Sequence, residues 1–241
     1  MAELLFDRDI YFDLVRNSLF YGHLKQGQVD GQEAILSVWE TYRRDYDKRW
    51  LAYMLATTIH ETASTMLPIE EYGKGAGMEY GEVDPETGQT YYGRGFVQLT
   101  WRDNYHHADS EIDKLFGKNP GMEYDASKAL EPIIAAGVMF LGMEQGWFRG
   151  DSEGRQTLQR YFNDTVDDPV NARDIINGDI SKNGSLVASY HEAFLDALRL
   201  SEMSNPAPTP EPVPEPSTVK INIEVSGAPV LITVNGEIIS V

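Results

Sequence analysis

Apolar residues recur every three to four positions through most of the first 200 residues. In DIYFDLVRNSLF, Ile10, Leu14, Val15 and Leu19 share one helical face, and in GQEAILSVWETYRRD the same period carries Ala34, Ile35, Val38 and Trp39. KRWLAYMLATTIHETAS is apolar around most of its circumference, which predicts a buried central helix. Further helices are predicted over 125–145, about 154–163 and 186–200. The period breaks at 73–90, GKGAGMEYGEVDPETGQT, where Gly and acidic residues predict a loop of a length usually functional or mobile. After it, YYGRGFVQLTWRDNY predicts a Gly turn and an extended segment, whose even offsets put Gln98 and Thr100 on one face.

A different pattern closes the chain. NPAPTPEPVPEPS, 205–217, alternates proline with small or acidic residues and predicts a semi-rigid polyproline II spacer. Behind it Val219, Ile221, Ile223 and Val225 alternate at period two, and Asn235-Gly236 is a hairpin signal. The expected organisation is a mainly α-helical unit over 1–204, a linker over 205–217 and a small β-hairpin tail over 218–241. Such a tail is shorter than the ~40 residues at which a domain usually folds without disulfides or metal. Its apolar face needs a cover, which makes it a candidate for self-association or docking.

Composition narrows the function classes. The 241 residues are 41% hydrophobic, as expected of a globular chain, and contain no Cys, so neither a disulfide nor a thiolate metal site can form. With 38 acidic against 20 basic residues the formal charge is −18, which repels phosphate backbones and makes nucleic acid a poor partner. No segment approaches the ~20 apolar residues that span a bilayer. The start, MAELLFDRDIYFDLVRNSLF, lacks the basic and uninterrupted apolar regions of a secretory signal. The expectation is synthesis in the cytoplasm, with any export needing outside help.

The chemistry lies around IHETASTMLPIEEYG. Glu61 ends the central helix beside Ile59, Met66 and Leu67, apolar neighbours of the kind that keep a carboxyl protonated for general acid work. Glu70 and Glu71 follow where solvent would keep them ionised. A protonated and an ionised carboxyl are what glycoside hydrolysis needs, one for the leaving oxygen and one for water or the anomeric carbon. The spacing alone fits ordinary helix-end solvation equally well. Tyrosines beside Gln98, Thr100 and Asn104 suit a sugar, which has apolar faces and a hydrogen-bonding rim. Other motifs lead nowhere: HETAS lacks the second histidine of HExxH, and the adjacent His106 and His107 would point about 100° apart on a helix. DSEGRQTLQRYFNDTVDDP lacks the calcium-loop ladder. Trp147 and Phe148 read as core at a helix end.

In order, HET, YYGRGFVQLTWRDNY and NARDIING (171–178) resemble the catalytic domain of family 19 glycoside hydrolases, with its chitinase-like, lysozyme-like α+β fold. The likeness covers roughly residues 10 to 200 and is nearest to bacteriophage endolysins. It implies that Glu61 is the general acid, that Glu70, nine residues on, is the general base, and that Thr100 positions the attacking water. Glu71 is an alternative base, and Glu79 and Glu82 remain open. His60, Tyr92, Gln98, Asn104 and Asn177 would hold the sugar. An arginine that plant members place in the last helix of the cleft has no counterpart in LVASYHEAFLDAL. The implied activity is inverting hydrolysis of β-1,4 bonds in peptidoglycan, without metal or cofactor, at the bacterial wall after release. The alternatives are a chitinase, or a non-catalytic wall-binding or virion protein.

Overall fold

The computed structural model describes residues 4–152 and 154–203, together with the backbone of two strands at 232–234 and 237–239. It divides into a unit from Met1 to Met203 and another from Ser204 to Val241.

The larger unit is built on α3 (Lys48–Glu61). Every residue from Leu51 to Ile59 is buried, so this helix is covered on all sides. Asp47 caps its start through the Arg49 N–H, satisfying one of the helix's free donors. Helix α7 (Ser185–Ser201) packs along α3, α1 (Arg8–Leu19) packs on α7, and α2 (Gln26–Tyr42) packs on α5 (Pro132–Gln145). Helix α4 (Arg102–Phe116) also lies against α5. The described elements are mainly helical, as the apolar period predicts, with small antiparallel additions. Strand β1 (Ile69–Glu70) pairs with β2 (Arg94–Gly95), and β3 (Gly150–Asp151) with β4 (Gly154–Arg155).

Several predicted elements differ in detail. On α1 the buried residues are Tyr11, Phe12 and Val15, while Ile10 is exposed. The single helix expected over 125–145 is two, a 3-10 turn at Ala126–Leu130 and then α5 with Pro132 at its first turn. Proline disfavours helical geometry in the residue before it, here Glu131. The helix expected near 154–163 shrinks to α6 (Leu158–Tyr161), because the hairpin β3–β4 occupies its start. The loop 73–90 is pinned by Arg102, which pairs with Asp84, Glu86 and Glu123.

One close approach fixes the exit of α3. Gly31 of α2 faces the Met66 carbonyl, and a Cβ there would stand 1.6 Å from that oxygen. Beyond Glu61 the chain turns through left-handed Ala63, Ser64 and Met66, while the Thr62 hydroxyl donates to the Thr58 carbonyl and accepts from the Met66 N–H. That knot delivers β1 beside the helix end.

In the second unit, β5 (Ile232–Val234) and β6 (Glu237–Ile239) pair antiparallel. The proline-rich segment, the alternation from Val219 to Val225 and the Asn235-Gly236 turn lie outside the described residues.

Candidate active site

The segment 91–105 builds one wall of the site, and it is not an extended strand. Gly95, Gln98 and Trp101 all have positive φ, and Arg94 and Leu99 exchange backbone hydrogen bonds, so the chain folds back on itself. The period-two argument for Gln98 and Thr100 therefore does not apply, although both residues reach the same cleft. Arg94, buried, holds the fold-back together. Its Nη1 donates to the carbonyls of Thr90 (2.8 Å) and Tyr92 (3.3 Å) and to the Tyr105 hydroxyl (3.1 Å). Its guanidinium also lies 3.6 Å from the Tyr92 ring centroid.

A cleft of about 390 Å³ gathers Glu61, Glu71, Gln98, Thr100, Asn104 and Asn177. Tyr80, Trp101, Phe148 and Ile176 supply apolar wall. The Thr100 hydroxyl donates to the Gln98 carbonyl at 2.8 Å, which leaves its lone pairs facing outward for another donor. Asn104 Nδ2 donates to the Thr100 carbonyl at 2.7 Å and ties the start of α4 to the same turn.

The surroundings of Glu61 differ from those expected. Its carboxylate accepts from Nη1 of Arg173, whose side chain is only 2% exposed, and Arg173 Nε donates to Asp179 Oδ1 at 2.5 Å. Arg173 sits in the 3-10 turn Asn171–Ile175, outside α7. His60, next to Glu61 and partly buried, has its pKa lowered by burial and by Arg173.

The two neighbouring glutamates part ways. Glu71 lines the cleft with Glu61, accepting from the Tyr80 hydroxyl (3.3 Å) and from the Gly93 N–H (3.2 Å). Glu70 is outside that lining. It pairs with Lys74 at 2.9 Å and accepts from the Tyr92 hydroxyl at 2.5 Å, and these two bonds hold its carboxyl below the usual carboxylate range. Side chains of successive strand residues point to opposite faces, which separates the two. Tyr92 is also outside the lining, buried beneath Arg94 with its hydroxyl committed to Glu70. Glu79 and Glu82 line a different hollow, beside Asp84 and Arg102.

Five contributors escape sequence reasoning: Arg173, Tyr80, Trp101, Phe148 and Ile176. Phe148, read as core, is half-buried in the cleft wall, and its ring fills the space where Gly142 lacks a Cβ, at 2.3 Å from the position that atom would take.

No family model matches the chain. Over 82 residues, 34% of its length, the chain is 35% identical to an endochitinase of Arabidopsis thaliana, and it spans only 29% of that protein. Among solved structures it is similar to chitinase C from Streptomyces griseus HUT6037, with a TM-score of 0.52 and 18% identity over 85% of this chain and 81% of the other. It is similar to a bacterial family 19 chitinase to the same degree, with a TM-score of 0.52 and 17% identity over 83% of this chain and 98% of the other. The chain therefore has the family 19 chitinase-like fold.

Proposed function

We propose that the cleft hydrolyses β-1,4 bonds between N-acetylated sugars by a single inverting displacement. The observation that carries this reading is the presence of two carboxylates, Glu61 and Glu71, and the Thr100 hydroxyl on one aromatic-walled cleft. In this scheme Glu61 gives its proton to the glycosidic oxygen as the bond to the anomeric carbon breaks. A water donates one hydrogen to Thr100 Oγ1 and the other to the basic carboxylate, while its oxygen attacks the opposite face of that carbon. Arg173 orients Glu61.

The basic carboxylate has two claimants. Placement in the cleft supports Glu71. The resemblance supports Glu70; its lowered pKa, set by Lys74 and Tyr92, keeps it ionised but makes it the weaker proton acceptor.

Chitin-type glycan is the first substrate class, supported by the naming of the similar proteins as chitinases. Peptidoglycan is a second reading, supported by the sequence likeness to endolysins. The test is mass spectrometry and early-time NMR of products from soluble chitin oligomers and from purified sacculi. New reducing ends that appear first as the α-anomer are expected; a β-anomer as first product would reject inversion, and no cleavage of either substrate would reject the activity. In this reading the tail beyond 218 serves assembly or docking. Deletion of 206–241 should then leave turnover of soluble oligomers intact and lower either the assembly state in light scattering or retention on insoluble glycan.

A further inference from the structure

The cleft continues past Asn104 and Phe148. Both residues also wall a neighbouring hollow of about 450 Å³, whose other sides include His107, Trp147, Arg149 and Arg155. The hollow exists because α5 stops abruptly at Gly146, φ 70°, where a Cβ would stand 2.7 Å from that of Arg155. The chain turns there, and the hairpin β3–β4 is brought against the helix end. Trp147 is fixed by its Nε1, which donates to Gln145 Oε1 at 3.0 Å, and by the His107 ring, edge-on at 4.8 Å between centroids. Arg149 reaches out from the turn with its Nε on Asp174 Oδ1 at 3.0 Å. Arg155 donates to the Gln145 carbonyl at 3.3 Å and pairs with no carboxylate among the described residues.

The charge of this hollow runs against that of the molecule. The chain carries −18, yet among the described residues the hollow is lined by two arginines and by no Asp or Glu, with Asp174 reaching Arg149 from outside the lining. A guanidinium fork matches a carboxylate in geometry, and a half-exposed indole offers a platform to a pyranose face. We propose that this hollow is a subsite for a carboxylate carried on the glycan, such as a carboxyalkyl ether or the end of a peptide substituent on an N-acetylated sugar backbone. The proposal rests on the glycan-hydrolase reading of the adjoining cleft and deepens it by naming a carboxylate-bearing form of the same N-acetylated backbone as favoured over the neutral form. Without such a site the molecule's negative field would disfavour an anionic polymer. That field is screened beyond about 8 Å at physiological ionic strength, whereas the two guanidinium groups act at contact.

Glycol chitin and carboxymethyl chitin share a backbone and differ in charge, so the ratio of their kcat/KM values reports the subsite. The expected ratio favours the carboxymethyl polymer by about three- to tenfold, through KM, as two partly exposed charge contacts would give. Arg155→Gln should reduce the ratio, Arg149→Gln combined with Arg155→Gln should bring it to one or below, and Arg155→Glu should invert it. Circular dichroism of each variant checks the fold, and Arg155, exposed on a hairpin, is the substitution least coupled to it. A wild-type ratio at or below one, or a ratio that survives the double substitution, overturns the subsite. Failure to cut either polymer rejects the hydrolase reading and the subsite with it, a different result from cleavage without preference.

Discussion

Arg173 donates to Glu61 across 112 positions of the chain, from a side chain that is almost wholly buried. The same guanidinium holds Asp179, so one cation ties the end of α3 to the turn around 171–179.

Removing that cation leaves two carboxylates facing each other across a partly desolvated space. Arg173→Gln is expected to lower stability by about 3 kcal/mol, the scale for a buried pair broken from one side. Arg173→Lys keeps the charge without the fork and should fall between. Urea denaturation at neutral pH measures both. A loss below about 1 kcal/mol for the Gln variant would give the pair no more weight than an exposed one.

Glu61→Gln keeps the shape of the side chain and cannot deliver an acid proton. Turnover of chitin oligomers should fall by about 10²- to 10⁴-fold with the fold retained in circular dichroism, although the loss of one charge of the Arg173 pair lowers the melting temperature. More than a tenth of the activity remaining would remove Glu61 from the acid role.

Glu70→Gln and Glu71→Gln separate the claimants for the base. If Glu71 activates water, its variant loses activity on the scale of the Glu61 variant, about 10²-fold or more, and azide should restore part of it by acting as the nucleophile. Glu70→Gln would then lose less than tenfold, through the weakened hold on Tyr92 and Lys74. The opposite pattern hands the role to Glu70.

His191 gives a pH dependence. It lies between Tyr53 and Phe162, stacked on the latter at 5.2 Å between ring centroids, and its nitrogens have no hydrogen-bond partner of ordinary geometry. Burial pushes its pKa down to about 4, with Asp167 and the Arg49 backbone exerting a weaker opposite pull. The unfolded chain therefore takes up this proton first as pH falls. The stability contribution is complete above about pH 6.5 and is lost between there and about pH 4, a total of about 3 kcal/mol. His191→Phe should flatten that part of the pH profile. Equal losses for wild type and variant between pH 7 and about pH 4.5 would assign the acid lability to other groups.

The sequence was most legible where burial is one-sided or complete. The apolar period gives α1, α2, α3 and α7, and the Pro-Ile-Ile start of α5 is visible once a break before Pro132 is allowed. It misses α4 for a physical reason: RDNYHHADSEIDKLF buries only Tyr105, Ala108, Asp109 and Ile112, and its N-cap is Trp101, which has positive φ and no capping hydrogen bond. The spacing 105, 108, 109 and 112 is that of one helical face, but an acid holds one of the four positions and the start signal is weak. Within the site, Glu61, Gln98, Thr100, Asn104 and Asn177 line one cleft. Glu70 against Glu71 was not legible, because a one-residue step along a strand reverses the face and only the pairing with β2 fixes which face is which. Arg173 was not legible because nothing local marks a partner so distant in the chain.

Gly142 and Phe148 carry a consequence for adaptation. One ring, seated in the gap left by a missing Cβ, is a wall common to both hollows. A larger residue at 142 would push that ring outward and narrow both spaces in a single step. On the proposed hydrolase reading, variation in the sugars accepted therefore has independent room on the unshared sides, at Arg149 and Arg155 for one space and at Tyr80 and Trp101 for the other. A lineage under pressure to change its substrate would show its substitutions there, with 142 and 148 moving only as a pair.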